Sequence, residues 1–212
     1  MKSLVLGALT VCVVLGCICF AAPEPAIIQH SGEWTLSVTF TQPEQIVMRL
    51  GAAGRAQRFW YTILSVTNNT DEDVEFYPQC DMMTDAFQII PAGRNVSPNV
   101  FEQIKIRHQN TYPFLEPLEQ VGDRILQGED NAKDIAIIWP DFDVQAKQVK
   151  FFITGLSNET AVVSHPVEMD QAGQPIKVYL RKTLELSYDL TGEPAFRTSA
   201  NVVYKGKRWI MR

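Results

Sequence analysis

The sequence has 212 residues, 46% of them apolar and 20% charged, with a formal net charge of −5. A chain of this size stands on its own apolar core, without the disulfide or metal staples that small exported domains need. Its modest acid excess gives no general attraction to nucleic-acid phosphates, so composition argues against that class of partner.

The chain opens MKSLVLGALTVCVVLGCICFAAPEP. Lys2 is a short basic lead, residues 4–20 are an apolar run, and Ala21 and Ala22 are small residues before Pro23. This is the pattern of a secretory signal peptide. The expected organisation is therefore a signal peptide over residues 1–21 and a single domain over residues 22–212, exported to the periplasm or secreted. Two other readings stay open. The run has the minimum length of a membrane anchor, and VLGC at residues 14–17 resembles a lipobox, in which Cys17 becomes the lipidated first residue. Membrane contact is expected only through lipidation at Cys17. Cleavage after Ala21 removes Lys2 and no acid, which moves the net charge from −5 to −6. It also removes Cys12, Cys17 and Cys19 and leaves Cys80 without an internal disulfide partner.

From Trp34 on, the chain reads as strands. Trp34, Leu36, Val38 and Phe40 alternate with polar residues, the period of a half-buried strand. Residues 58–67 are aromatic and β-branched, Asn68 to Asp71 form a turn, and Val74 to Tyr77 resume the strand as far as Pro78. Residues 97–127 interrupt the series with two expected short helices. The first is capped by Ser97 and Pro98, with Val100, Phe101, Ile104 and His108 on one side. The second starts near Pro117, carries Leu118, Val121 and Ile125 on one face, and stops at Gly128. Residues 135–139 (IAIIW) are an apolar run closed by Pro140 and suit a strand buried on both faces. Residues 149–157 are another strand.

Residues 176–190 show the clearest pattern. Ile176, Val178, Leu180, Lys182, Leu184, Leu186, Tyr188 and Leu190 share one face, and only Lys182 among them is charged. Alternation of this kind belongs to an antiparallel strand with one dry face. Its length implies a bend or a change of sheet near Arg181, Lys182 and Thr183. The last twelve residues, NVVYKGKRWIMR, are expected to form a hairpin turning at Lys205, Gly206 and Lys207.

The whole predicts a mainly β fold: an antiparallel immunoglobulin-like β-sandwich with a short helical insertion over residues 97–127. The central YTILSVTNNTDEDVEFYP resembles the strand–turn–strand of immunoglobulin-like domains in secreted bacterial proteins. The chain as a whole resembles uncharacterised bacterial secreted proteins. That resemblance implies the fold and carries no activity; the Cys–Trp–Cys pattern of antibody domains is absent.

QGEDNAKDIAIIWPDFD, residues 127–143, concentrates five carboxylates: Glu129, Asp130, Asp134, Asp141 and Asp143. An extended run between them holds Asp134 and Asp141 roughly 23 Å apart. One calcium ion takes its oxygens within about 2.6 Å, and paired glycosidase carboxylates stand about 5–10 Å apart. The acids therefore divide into two turns. Neither matches a calcium loop, since Ala146 stands where the tight turn requires Gly. Cys80, Met82 and Met83 supply sulfur ligands suited to Cu(I); the alternative is that they fill the core. His30, His108 and His165 form no recognisable constellation, and His108 is expected in the core or at its boundary. No metalloprotease, nucleophile-elbow, P-loop or dinucleotide motif is present. The basic C-terminus (Lys205, Lys207, Arg208, Arg212) reads as a strand whose charges discourage edge pairing. Asn68 and Asn158 fit the glycosylation acceptor pattern and read more simply as turn residues.

These residues point to a non-catalytic exported protein, a structural or protein-interaction module of the cell envelope with an unidentified protein partner and no cofactor. The alternatives are a metal-binding envelope protein, for copper or calcium, and a hydrolase whose site carries no motif. The insertion is the expected contact region, with Phe114 and Leu115, flanked by Pro113 and Pro117, as its interaction residues.

Overall fold

Two β-sheets face one another across a common apolar interior, and one helix covers the back of the first sheet. The structure is a computed structural model that describes residues 32–49 and 54–212. The expected signal peptide, Cys17 and His30 lie outside the described residues. The first strands are β1 (Ser37–Phe40), β2 (Glu44–Arg49), β3 (Ala56–Thr67), β4 (Val74–Glu75), β5 (Gln79–Thr84) and β6 (Ile89–Pro91). Helix α1 (Pro98–His108) follows, then β7 (Glu116–Pro117), β8 (Arg124–Ile125) and β9 (Lys133–Pro140). The chain ends with β10 (Gln148–Thr154), β11 (Thr160–Met169), β12 (Pro175–Thr191) and β13 (Asn201–Met211). The fold is thus mainly β, as expected, with one α-helix among the described residues.

Strand β3 centres the first sheet. One edge of β3 takes β1 along its second half and β2 along its first; the other edge takes β9, which pairs in parallel with β7. The second sheet runs β11–β12–β10–β5–β6, and β13 also pairs with β12. A separate ladder joins β4 to β8.

Strand periodicity distributes the apolar residues. Leu64, Ile137 and Trp139 of the first sheet meet Phe151, Leu186 and Tyr188 of the second in the inter-sheet core. Alternate residues of β3 and β9 point the opposite way: Tyr61, Ile63, Ala136 and Ile138 pack with Val100, Phe101 and Ile104 of α1. Residues 135–139 form the expected strand buried on both faces, because α1 dries the face that an antiparallel sheet commonly leaves wet. The helix carries the apolar side that its sequence predicts.

Two expectations are corrected. The second helix after Pro117 is absent; β7, the 3-10 turn Leu118–Gln120 and β8 occupy that stretch. Gly122 takes φ 74° in its middle, which breaks a right-handed helix. Val121 and Ile125 enter the inter-sheet core, whereas Leu115 joins the helix-side core. The C-terminal hairpin is also absent. Strand β13 runs unbroken along β12, with Ser187 opposite Gly206 and Tyr188 opposite Tyr204. Lys205 is left as the extra residue, so Gly206 marks a β-bulge in place of a turn.

Strand β12 changes partners where its length implied. Residues up to Arg181 pair with β11, and residues from Lys182 pair with β13. On the outer face of this sheet the buried Glu185 carboxylate lies 3.2 Å from Lys150 and 2.8 Å from Arg208. Burial alone would raise its pKa; hydrogen bonds and charge from the two cations outweigh that and hold it below the usual carboxylate range.

Candidate interaction surface

The sequence-predicted residues separate in space. Asp134 accepts a hydrogen bond from Ser65 at one end of β9. At the other end Asp141 accepts from Trp60 Nε1 at 3.0 Å and lies 3.4 Å from Arg58. Glu129 and Asp130 sit in an exposed 3-10 turn after Gly128, and Asp143 accepts from the Gln145 amide within its own turn. Among the described residues no three His, Cys, Asp or Glu side chains converge.

The sulfurs of β5 divide between the two faces of the sheet. Cys80 and Met82 point into the inter-sheet core, and Met83 is half-buried on the opposite face. Successive strand residues alternate in this way, so these three positions assemble no common ligand set. Burial pushes the Cys80 thiol well above its usual range, and the neighbouring Asp81 carboxylate adds to the rise. The thiol is held neutral, and a metal binds the thiolate.

His108 lies at the boundary of the helix-side core, with its ring edge-on to Tyr61 and Nε2 2.9 Å from the Tyr61 hydroxyl. That hydroxyl donates to Glu44 at 2.8 Å, and Arg107 donates to it at 3.2 Å. The cluster clamps the C-terminal turn of α1 to β2 and β3. His165 Nδ1 accepts from the Glu168 amide at 2.8 Å and holds an irregular turn inside β11. Phe114 and Leu115 part company as well. Phe114 is 81% exposed, while Leu115 is fully buried in the helix-side core.

The exposed apolar surface gathers elsewhere. Strand β11 and residues 175–181 of β12 form a two-stranded ribbon. Val163 pairs with Val178 and Ala161 with Leu180, and directly opposite residues share a face. By alternation that face also carries Ile176 and continues into Leu184, Leu186 and Tyr188 of the core. The apolar side of β12 therefore extends beyond the sheet that covers it. Val163 is 43% exposed and Ile176 38%. The other face adds the Val162–Tyr179 pair, with Tyr179 69% exposed.

The ribbon has a built frame. At its tip Asp170 Oδ1 accepts from the Ala172 and Gln174 amides at 2.9 and 2.8 Å, and Gly173 takes φ 74°. At its foot Lys182 Nζ reaches Glu159 at 2.6 Å and Thr35 Oγ1 at 3.2 Å, over the Trp209 ring. Asn158 bonds the backbone of Gly32 and Trp34 there, which accounts for it as a turn residue. Strand β11 is not among the strands expected from the sequence, and His165 and Pro166 lie within it. The signal available was the β-branched, apolar run Thr-Ala-Val-Val at residues 160–163 and the Asp–Gln–Ala–Gly–Gln turn after Met169.

No protein-family model, no curated protein and no solved structure matches this chain.

Proposed function

We propose that this chain is a non-catalytic, exported immunoglobulin-like β-sandwich that acts in the cell envelope by protein–protein contact, through the ribbon of β11 and β12. Export rests on the apolar run before Pro23, and the sandwich reading on two sheets sharing one core. The observation that carries the contact is the apolar face of β12, which outruns its covering sheet at residues 176–180. A two-stranded ribbon is marginal in water by itself, and contiguous exposed apolar surface marks a contact site. The uncovered face continues an inter-sheet interface. Its complement is therefore a partner's apolar β-surface, stacked as the first sheet stacks on the rest of β12.

Photo-crosslinking in the native host tests this. A benzophenone side chain at position 163 or 178 gives a discrete adduct, which Leu180→Asp abolishes; the same probe at position 130, in the exposed turn, gives none. Adducts of equal yield from all three positions, or none from 163 and 178, overturn the proposal. An adduct of twice the chain mass makes the partner a second copy.

A further inference from the structure

We propose a second docking site, a groove around Leu118–Gln120 that takes an extended basic segment of a partner protein. Three cavities of about 490, 260 and 240 Å³ adjoin there, and Glu119 lines all of them. The largest lies within the size range of ligand pockets, about 300–1,000 Å³. Its walls combine the apolar groups of Leu118 and Val121 with Tyr77, which is 60% exposed, and two carboxylates, Glu119 and Asp123. The cavity on the α1 side adds Glu102.

The charge is one-sided. No Lys, Arg or His lines any of the three cavities among the described residues, and Glu102, Glu119 and Asp123 have no ion-pair partner among them. Low-dielectric walls concentrate the field of like charges in a cleft. The Glu119 carboxylate lies directly over Gly93, where any β-carbon would overlap it, so the absent side chain makes room for this acid where the cavities meet. A Lys or Arg side chain in the largest cavity gains the two carboxylates and the tyrosine ring together. Apolar neighbours in the same segment cover Leu118, which is only partly buried. Prolines 78, 91, 98 and 117 wall the groove and limit what it loses in ordering.

The groove flanks β5 and β6, at the opposite edge of the second sheet from β11. It therefore goes beyond the ribbon reading and stands or falls separately. The probe is a blocked pentapeptide, acetyl-Leu-Lys-Leu-Arg-Leu-amide, against its counterpart with Glu in place of Lys and Arg, titrated into the full chain by amide NMR. The basic peptide shifts the Gly93 and Gly122 amides, and added salt weakens it. Glu119→Gln weakens binding about three- to five-fold, Glu119→Gln with Asp123→Asn more than about ten-fold, and Val178→Asp leaves it unchanged. Silence at both glycines, equal binding of the acidic peptide, or unchanged affinity in the double variant overturns the site.

Discussion

Lys182 and Glu159 meet at 2.6 Å where β12 leaves the core, with side-chain exposures of only 9% and 12%. Such a pair is costly to break, because removing one partner strands the other charge away from water. Glu159→Gln is expected to lower unfolding free energy by about 3 kcal/mol. Replacing the pair together, as Lys182→Met with Glu159→Leu, restores most of that loss. Urea midpoints of the single and double variants check it; a single-variant loss below about 1 kcal/mol makes the contact incidental.

The parting of Phe114 and Leu115 gives a sharp contrast between neighbours. Leu115→Ala leaves a void in the helix-side core and costs about 3 kcal/mol, while Phe114→Ala stays within about 0.5 kcal/mol of the parent. Chemical denaturation of both variants decides this, and equal losses would contradict the placement of Leu115.

Tyr61 makes stability sensitive to alkali. Burial first, then the hydrogen bond to Glu44, pushes its pKa up to about 12. An unfolded tyrosine titrates near 10. The folded state therefore holds a proton that the unfolded state has released across that window. The contribution is complete below about pH 10 and disappears as pH rises towards 12. Burial raises the Tyr188 phenol as well. Unfolding free energy measured across pH 9 to 12, relative to neutral pH, is expected to fall steadily. The fall is shallower in Tyr61→Phe, which also loses about 1 kcal/mol at neutral pH. An unchanged slope in that variant removes Tyr61 from the account.

Cys80 is expected to resist a water-soluble alkylating reagent in the folded protein and to react at once in denaturant, because the reactive thiolate is suppressed by burial. Mass spectrometry of the Cys80 peptide reads this directly. Rapid labelling of the folded chain would show that β5 opens far more readily than its packing implies.

Local pattern made some of this structure legible. The run at residues 135–139 announced double-sided burial, since no polar residue interrupts it. Lys182 marked the partner change, because a single cation on a dry face needs a boundary. The errors arose where one glycine admits two geometries. Gly206 was compatible with a turn or a bulge, and the long partner β12 selected the bulge. The apolar spacing of Leu118, Val121 and Ile125 suited a helix; the left-handed backbone at Gly122 and the short strands on either side of it decided otherwise. The alternating face of residues 176–190 was visible, but how far the opposite sheet reaches depends on residues more than a hundred positions away. The groove at Glu119 left no motif because Tyr77 and Pro78, β5, β6, α1 and the turn at residues 118–120 supply its walls separately.

Pro166 and the irregular turn around it lie in β11, which pairs with β12 and with no other strand among the described residues. Proline has no amide hydrogen to offer an incoming chain, and the irregularity spoils the even spacing such a chain would copy. Lateral growth of the sheet is thereby discouraged, although the ribbon is long and apolar. Stacking on the ribbon's apolar face, in a layer about 10 Å away, is left open, whereas a neighbouring row at about 4.8 Å is not. The margin of the ribbon thus works against the self-templated strand addition that seeds fibrils.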